Sequence, residues 1–158
     1  MNTRFDDGGR DERETGAQRP GRDPRGFRWP EESLAGLDPP HAARALENAS
    51  DIALVLDADG VVRDLAFGSD ELARAGFEDW VGKPWTETVT VESRPKIEAL
   101  LRQAASDAPP RPRQVNHPSA GGVDIPIVYS AVPVGAGGRI VAVGRDLRQV
   151  AVLQQRLI

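Results

Sequence analysis

The chain has 158 residues, with 24 acidic and 20 basic side chains and a formal net charge of -4. That is room for one domain of ordinary size plus a tail, and the acidic balance argues against a nucleic-acid-binding domain, which carries a basic surplus or a basic face. Cysteine is absent, which excludes disulfides, thiolate metal sites and thiol-attached cofactors. Only His41 and His117 are histidines, a poor basis for a multi-histidine metal site or a Ser/His/Asp hydrolase. No run approaches ~18 consecutive apolar residues, so no membrane span is expected. Residues 1–7 hold no apolar secretory segment, so the expected location is cytoplasmic.

Residues 1–30 form an Arg/Asp/Gly/Pro-rich tail. Seven Arg alternate with six acids there, and apolar residues before Phe27 are few and unpatterned. Such a segment buries too little surface to offset its ordering entropy, so disorder is expected. An Arg-rich arm for nucleic acid is the functional alternative, but the interleaved acids cancel most of its attraction. Phe27 and Trp29 are expected to pin the end of the tail onto the domain.

Residues 31–50 read as a cap segment. Pro30 to Gly36 suits a helical turn, and His41 to Asn48 a short helix with Pro40 in its first turn. The domain proper is expected over 51–146. Ile52, Leu54 and Leu56 alternate with their neighbours as in a half-buried strand. Asp57-Ala58-Asp59-Gly60 is a turn, and a second strand from Val61 to Phe67 places Val61, Leu65 and Phe67 on one face. Ser69 is suited to cap a short helix over Asp70 to Arg74 that Gly76 ends. Val81 to Trp85 is a turn. Ser93 to Ala105 is the best helix: Ser93 is its N-cap, Pro95 lies in its first turn, and Ile97, Leu100, Leu101 and Ala104 form its apolar stripe. Strands follow over Arg113 to His117, Val123 to Val134 and Arg139 to Arg145, joined at Gly121-Gly122 and Gly135 to Gly138. Pro126 and Pro133 belong at strand ends, a bulge or an edge, since proline donates nothing to a ladder. From Leu147 the pattern turns helical. Val150, Leu153 and Leu157 have the 3-4 spacing of a coiled-coil seam, the start of a glutamine-rich linker helix over 147–158.

Several residues invite a chemical role and have a plainer one. His117, at a strand end before Pro118, is a candidate axial ligand to haem; a lone imidazole in a polar loop is more simply an exposed side chain. His41, at a helix start, is a weaker candidate. Trp80 and Trp85 are candidates to stack on a flavin, and large aromatics beside a turn also serve as packing anchors. Ser69, Asp70 and Glu71 resemble catalytic side chains, but helix capping accounts for all three. Gly135 to Gly138 has neither the following Lys nor the helix of a phosphate loop. Catalytic, metal and cofactor sites are therefore expected to be absent. The seam Val150, Leu153 and Leu157 has the strongest claim, as an oligomer interface.

Hairpin, small helices, one long helix and a three-stranded meander fit a single five-stranded antiparallel sheet with helices on one face, an α+β arrangement. The same order, with Asp57 to Val62, Val81 to Trp85 and Arg139 to Arg148, resembles PAS domains. Ala53 to Gly60, Thr88 to Lys96, Arg113 to Ser119 and Gln149 to Ile158 resemble the N-terminal PAS domain of the PpsR/CrtJ family of photosynthesis-gene repressors. The resemblance implies a non-enzymatic oligomerisation and partner-binding module. It implies self-association, a regulatory partner such as an antirepressor, and DNA contact only through a C-terminal region outside this chain. The redox-active cysteine of that family has no counterpart here. The alternative is a haem- or flavin-holding sensory input domain of another signalling protein, and a third possibility is a stand-alone PAS adaptor.

Overall fold

The computed structural model describes residues 25–148. Most of the expected tail, and the seam residues Val150, Leu153 and Leu157, lie outside the described residues. Two units are distinguished, Met1–Gly36 and Leu37–Ile158. In the first, α1 (Pro30–Ser33) is one turn, closed by Ser33 Oγ donating to the Trp29 carbonyl at 2.6 Å. Phe27 and Trp29 are 70% and 59% exposed. Within this unit the guanidinium of Arg28 lies over Trp29, 5.3 Å from its ring centre.

The second unit begins with α2 (Pro39–Ala49), two residues longer at its start and one at its end than the pattern predicted. Asp38 caps it by accepting from the His41 N–H at 3.1 Å, and Pro39 and Pro40 occupy first-turn positions that need no donor. Five antiparallel strands follow: β1 (Ile52–Leu56), β2 (Val62–Phe67), β3 (Arg113–His117), β4 (Ile125–Pro133) and β5 (Ile140–Asp146). Their order in the sheet is β2-β1-β5-β4-β3. The hairpin of β1 and β2 thus lies at one edge and β3 at the other. Between them the chain passes through α3 (Asp70–Ala73), short 3-10 turns at Phe77–Trp80, Trp85–Thr88 and Val91–Ser93, and α4 (Arg94–Ala104). Leu72, Phe77, Trp85, Ile97 and Leu100 from this crossing form one core with Ile52, Leu54, Ile127 and Tyr129 of the strands.

Three local expectations are corrected. Val61 does not share a face with Leu65 and Phe67. A bulge between Val55 and Leu56 pairs Leu56 with Val62, so Val62 is the buried residue; one extra residue shifts the alternation by one. β4 starts at Ile125, and Val123 is 68% exposed in the preceding turn. Ser93 does not cap α4 with its side chain. Its hydroxyl accepts from the Asn116 N–H at 2.9 Å and from Thr90 Oγ1 at 3.1 Å, tying the start of the helix to β3. Ser69 does cap α3, accepting from the Leu72 N–H at 3.3 Å.

Candidate functional site

Three features sit where the fold could transmit or receive something: a buried polar pair in the core, an open sheet face, and the joint at which the chain leaves the sheet.

His117 is fully buried, not exposed as its polar flanks suggested. It closes β3 on the inward face, in phase with buried Val115. Its Nδ1 lies 2.7 Å from the Thr88 carbonyl and its Nε2 2.7 Å from the Tyr129 hydroxyl. A carbonyl only accepts, so Nδ1 carries the proton and donates. Nε2 is then the acceptor, and Tyr129 donates to it. The chain of donors is thus Tyr129 to His117 to Thr88. Aromatic rings enclose it. Phe77 and Trp80 stack at 4.1 Å, Trp80 lies 4.4 Å from the His117 ring, and Trp85 meets Tyr129 edge-on at 5.2 Å. Burial pulls the pKa of His117 down to about 4, only partly offset by the Thr88 carbonyl, and pushes Tyr129 well above the usual phenol range. In this arrangement neither imidazole nitrogen is free for an axial iron bond. Trp80 and Trp85 spend their faces and edges on Phe77, His117 and Tyr129. His41, by contrast, is an exposed helix-start residue bonded to Asp38.

The other sheet face carries Val55, Val128, Val132, Val141 and Val143, all half-buried, with Arg145 exposed among them. A cleft of about 330 Å³ separates Val128, Ser130, Val143 and Arg145 from Ala49 and Ser50 at the end of α2. α2 has an apolar stripe with Ala42 and Leu46 half-buried, and none of its residues is buried. Both the face and the helix keep apolar surface in water.

At the end of β5, the Asp146 side chain is 1% exposed and pairs with Arg148, whose Nη2 lies 2.7 Å from Oδ2. Asp146 Oδ1 also accepts from the Arg148 N–H at 3.0 Å, the bond of an N-cap to a helix starting at Leu147. Arg148 reaches Glu71 of α3 at 3.6 Å, and Asp51 Oδ2 accepts from the Asp146 N–H at 2.8 Å. Glu71, expected only as a first-turn helix acid, is therefore also a tether for the exit. These four side chains fix residues 146–148 at the end of β5 against α3 and the start of β1.

Residues 46–152 match the family model described as the PAS fold. Protein CrtJ of Rhodobacter capsulatus is 26% identical over 127 residues, covering 80% of this chain; the chain spans 27% of that protein's length. Among solved structures, the PAS domain of an HTR-like protein from Haloarcula marismortui aligns with a TM-score of 0.51 at 20% identity, over 66% of this chain and 96% of that one. A PAS domain from Colwellia psychrerythraea aligns with a TM-score of 0.55 at 17% identity, over 71% of this chain and 99% of that one. At such identities these structures speak for the fold alone.

Proposed function

The chain belongs to the PAS fold family, and from that premise we propose that it is the oligomerisation and partner-binding module of a transcriptional repressor of photosynthesis genes. A regulatory PAS domain is supported by the family match and by the similarity to Protein CrtJ. The observation that carries the finer function is the open valine face beside an amphipathic helix with no buried residue. Contiguous apolar surface of this kind is where another polypeptide packs. The occupant is a second copy of this chain. The C-terminal segment, rooted by Asp146 and Arg148, adds the seam of Val150, Leu153 and Leu157 to the same contact. A regulatory protein, such as an antirepressor, acts by competing for or adding to that surface. The chain performs no catalysis of its own. It reads no DNA either: residues 31–158 hold 13 basic against 18 acidic side chains.

Replacing Val128 and Val143 together with Glu puts two charges in the proposed contact and leaves the opposite, core-facing side of the sheet untouched. Light scattering is expected to give a dimer mass for the wild type and a monomer mass for the double variant. A wild-type monomer, or a variant that remains dimeric, would overturn the assignment of this face. No haem or flavin belongs to the proposal. A visible spectrum of the purified protein is expected to be featureless, and a Soret or flavin band would instead favour the sensory input domain.

A further inference from the structure

The 3-10 turn Phe77–Trp80 is bracketed by Gly76 at φ 86° and Gly82 at φ 90°, angles that only glycine adopts readily. Space does not require these glycines. A Cβ at Gly82 would meet nothing within 4 Å, and one at Gly76 would meet only the Ala120 Cβ, at 3.6 Å. They set the direction of the backbone at the two ends of a short segment. Between them, residues 77–79 make no backbone hydrogen bond outside their own turn, and the Trp80 carbonyl accepts only from the nearby Lys83 N–H. The ion pair of Asp79 with Lys83, at 3.1 Å, stays at the exposed edge. At its far end the Gly82 N–H donates to the Val62 carbonyl of β2 at 2.7 Å, which anchors that hinge. What holds residues 77–80 on the molecule is their two rings, Phe77 and Trp80, 5.7 and 4.4 Å from His117.

We propose that residues 76–82 are a hinged aromatic lid over the His117–Tyr129 pair, and that protonation of His117 opens it. The closed state needs a neutral imidazole, because Nε2 must accept from Tyr129. A proton there turns the acceptor into a donor. The Tyr129 hydroxyl must then rotate to accept, and its own hydrogen loses its partner in a dry core. No neighbour compensates the new charge. The groups bonded to the ring are the Thr88 carbonyl and the Tyr129 phenol. Glu78 and Asp79 of the lid, Glu87 of the turn at Trp85–Thr88, and Arg94, Lys96, Glu98 and Arg102 of α4 are all exposed. Arg113, four residues along β3, is half-buried, and β4 carries no charged residue. Among the described residues no ion pair includes His117. The imidazolium must therefore reach water. Residues 77–80 have the fewest backbone ties of the segments against the ring, and rotation at Gly76 and Gly82 lets them lift while the Gly82 N–H stays on the Val62 carbonyl of β2.

The sign follows from burial, which depresses the His117 pKa to about 4 in the closed state. An open, hydrated imidazole returns to its ordinary value of about 6.5. Closure is therefore at full strength above about pH 6.5 and is lost as the pH falls toward 4, by roughly 300-fold over that window. Amide hydrogen exchange on the full chain, corrected for intrinsic rates, tests this. Protection of residues 77–80 is expected to fall by about that factor from pH 7 to pH 4, while β1 and β5 stay protected. His117→Asn, which keeps a donor for the Thr88 carbonyl but does not ionise, is expected to abolish the pH dependence. Tyr129→Phe, which removes the bond that favours neutral imidazole, is expected to move the transition to higher pH, and it decides the matter if His117→Asn does not fold. Lid protection that is independent of pH, that falls only in step with the sheet, or that keeps the wild-type pH profile in the variants would overturn the proposal.

Discussion

Gly144 stands in β5 between Ile52 of β1 and Tyr129 of β4, on the inward face. A Cβ there would lie 2.7 Å from Ile127 Cγ2, 2.8 Å from Ile52 Cγ2 and 2.8 Å from Tyr129 Cε1. The glycine is therefore the space that Tyr129 occupies to reach His117. Gly144→Ala overpacks the core and is expected to cost about 1–3 kcal/mol, read as a lower urea midpoint at unchanged slope. Ser93 offers a second residue-scale check. Its hydroxyl is buried and satisfies a strand N–H 23 residues away. Ser93→Ala orphans that donor, at about 1–3 kcal/mol. Faster amide exchange at Asn116 is expected; exchange enhanced only in the first turn of α4 would return Ser93 to the capping role that its sequence position suggested. The burial of His117 was legible in part. Val115 and His117 share one phase of β3, as Ile127 and Tyr129 share one phase of β4, and both phases are buried. The polar loop after the strand hid the signal, and the bonds to Thr88 and Tyr129, 29 and 12 residues away, are not written in any local pattern.

At the scale of elements, the joint at the end of β5 separates strong from weak contacts. Asp146 is buried and held by Arg148 through both oxygens, whereas Glu71 is 61% exposed and 3.6 Å from the same guanidinium. Arg148→Ala leaves a buried carboxylate with only its cap bond and is expected to cost about 1–3 kcal/mol. Glu71→Ala removes an exposed ion pair and is expected to cost less than about 1 kcal/mol. Thermal unfolding of the two variants ranks them; an equal or reversed ranking would show that the tether to α3, not the buried pair, fixes the exit. Elements were the most legible level of this fold, because strand alternation, glycine turns and the stripe of α4 are local signals. The β1–β2 bulge escaped because it adds one residue without altering the hydrophobic run, so the phase of Val61 and Val62 is decided by pairing with Leu56. Pro126 and Pro133 fell where proline chemistry puts them, near the two ends of β4.

At the scale of the whole molecule, the proposed role in protein–protein contact rests on charge and apolar surface. Phosphate neutralisation dominates duplex binding, and the acidic surplus of residues 31–158 opposes it. No shift of promoter DNA is expected at sub-micromolar protein and physiological salt; a sequence-specific shift would show that the chain carries a DNA reader. The five-stranded order and the helical crossing place the core on one side of the sheet and leave the valine face on the other, where a second copy is proposed to pack. The C-terminal seam makes the same claim from the sequence side, since a free helix of about a dozen residues is marginal in water. The most direct measurement is sedimentation equilibrium of the full chain beside the variant carrying Leu153→Glu and Leu157→Glu, which places two charges in the seam. A wild-type dimer that becomes a monomer in the variant is the expected result. A monomeric wild type, or a variant with the wild-type mass, would contradict self-association through this seam.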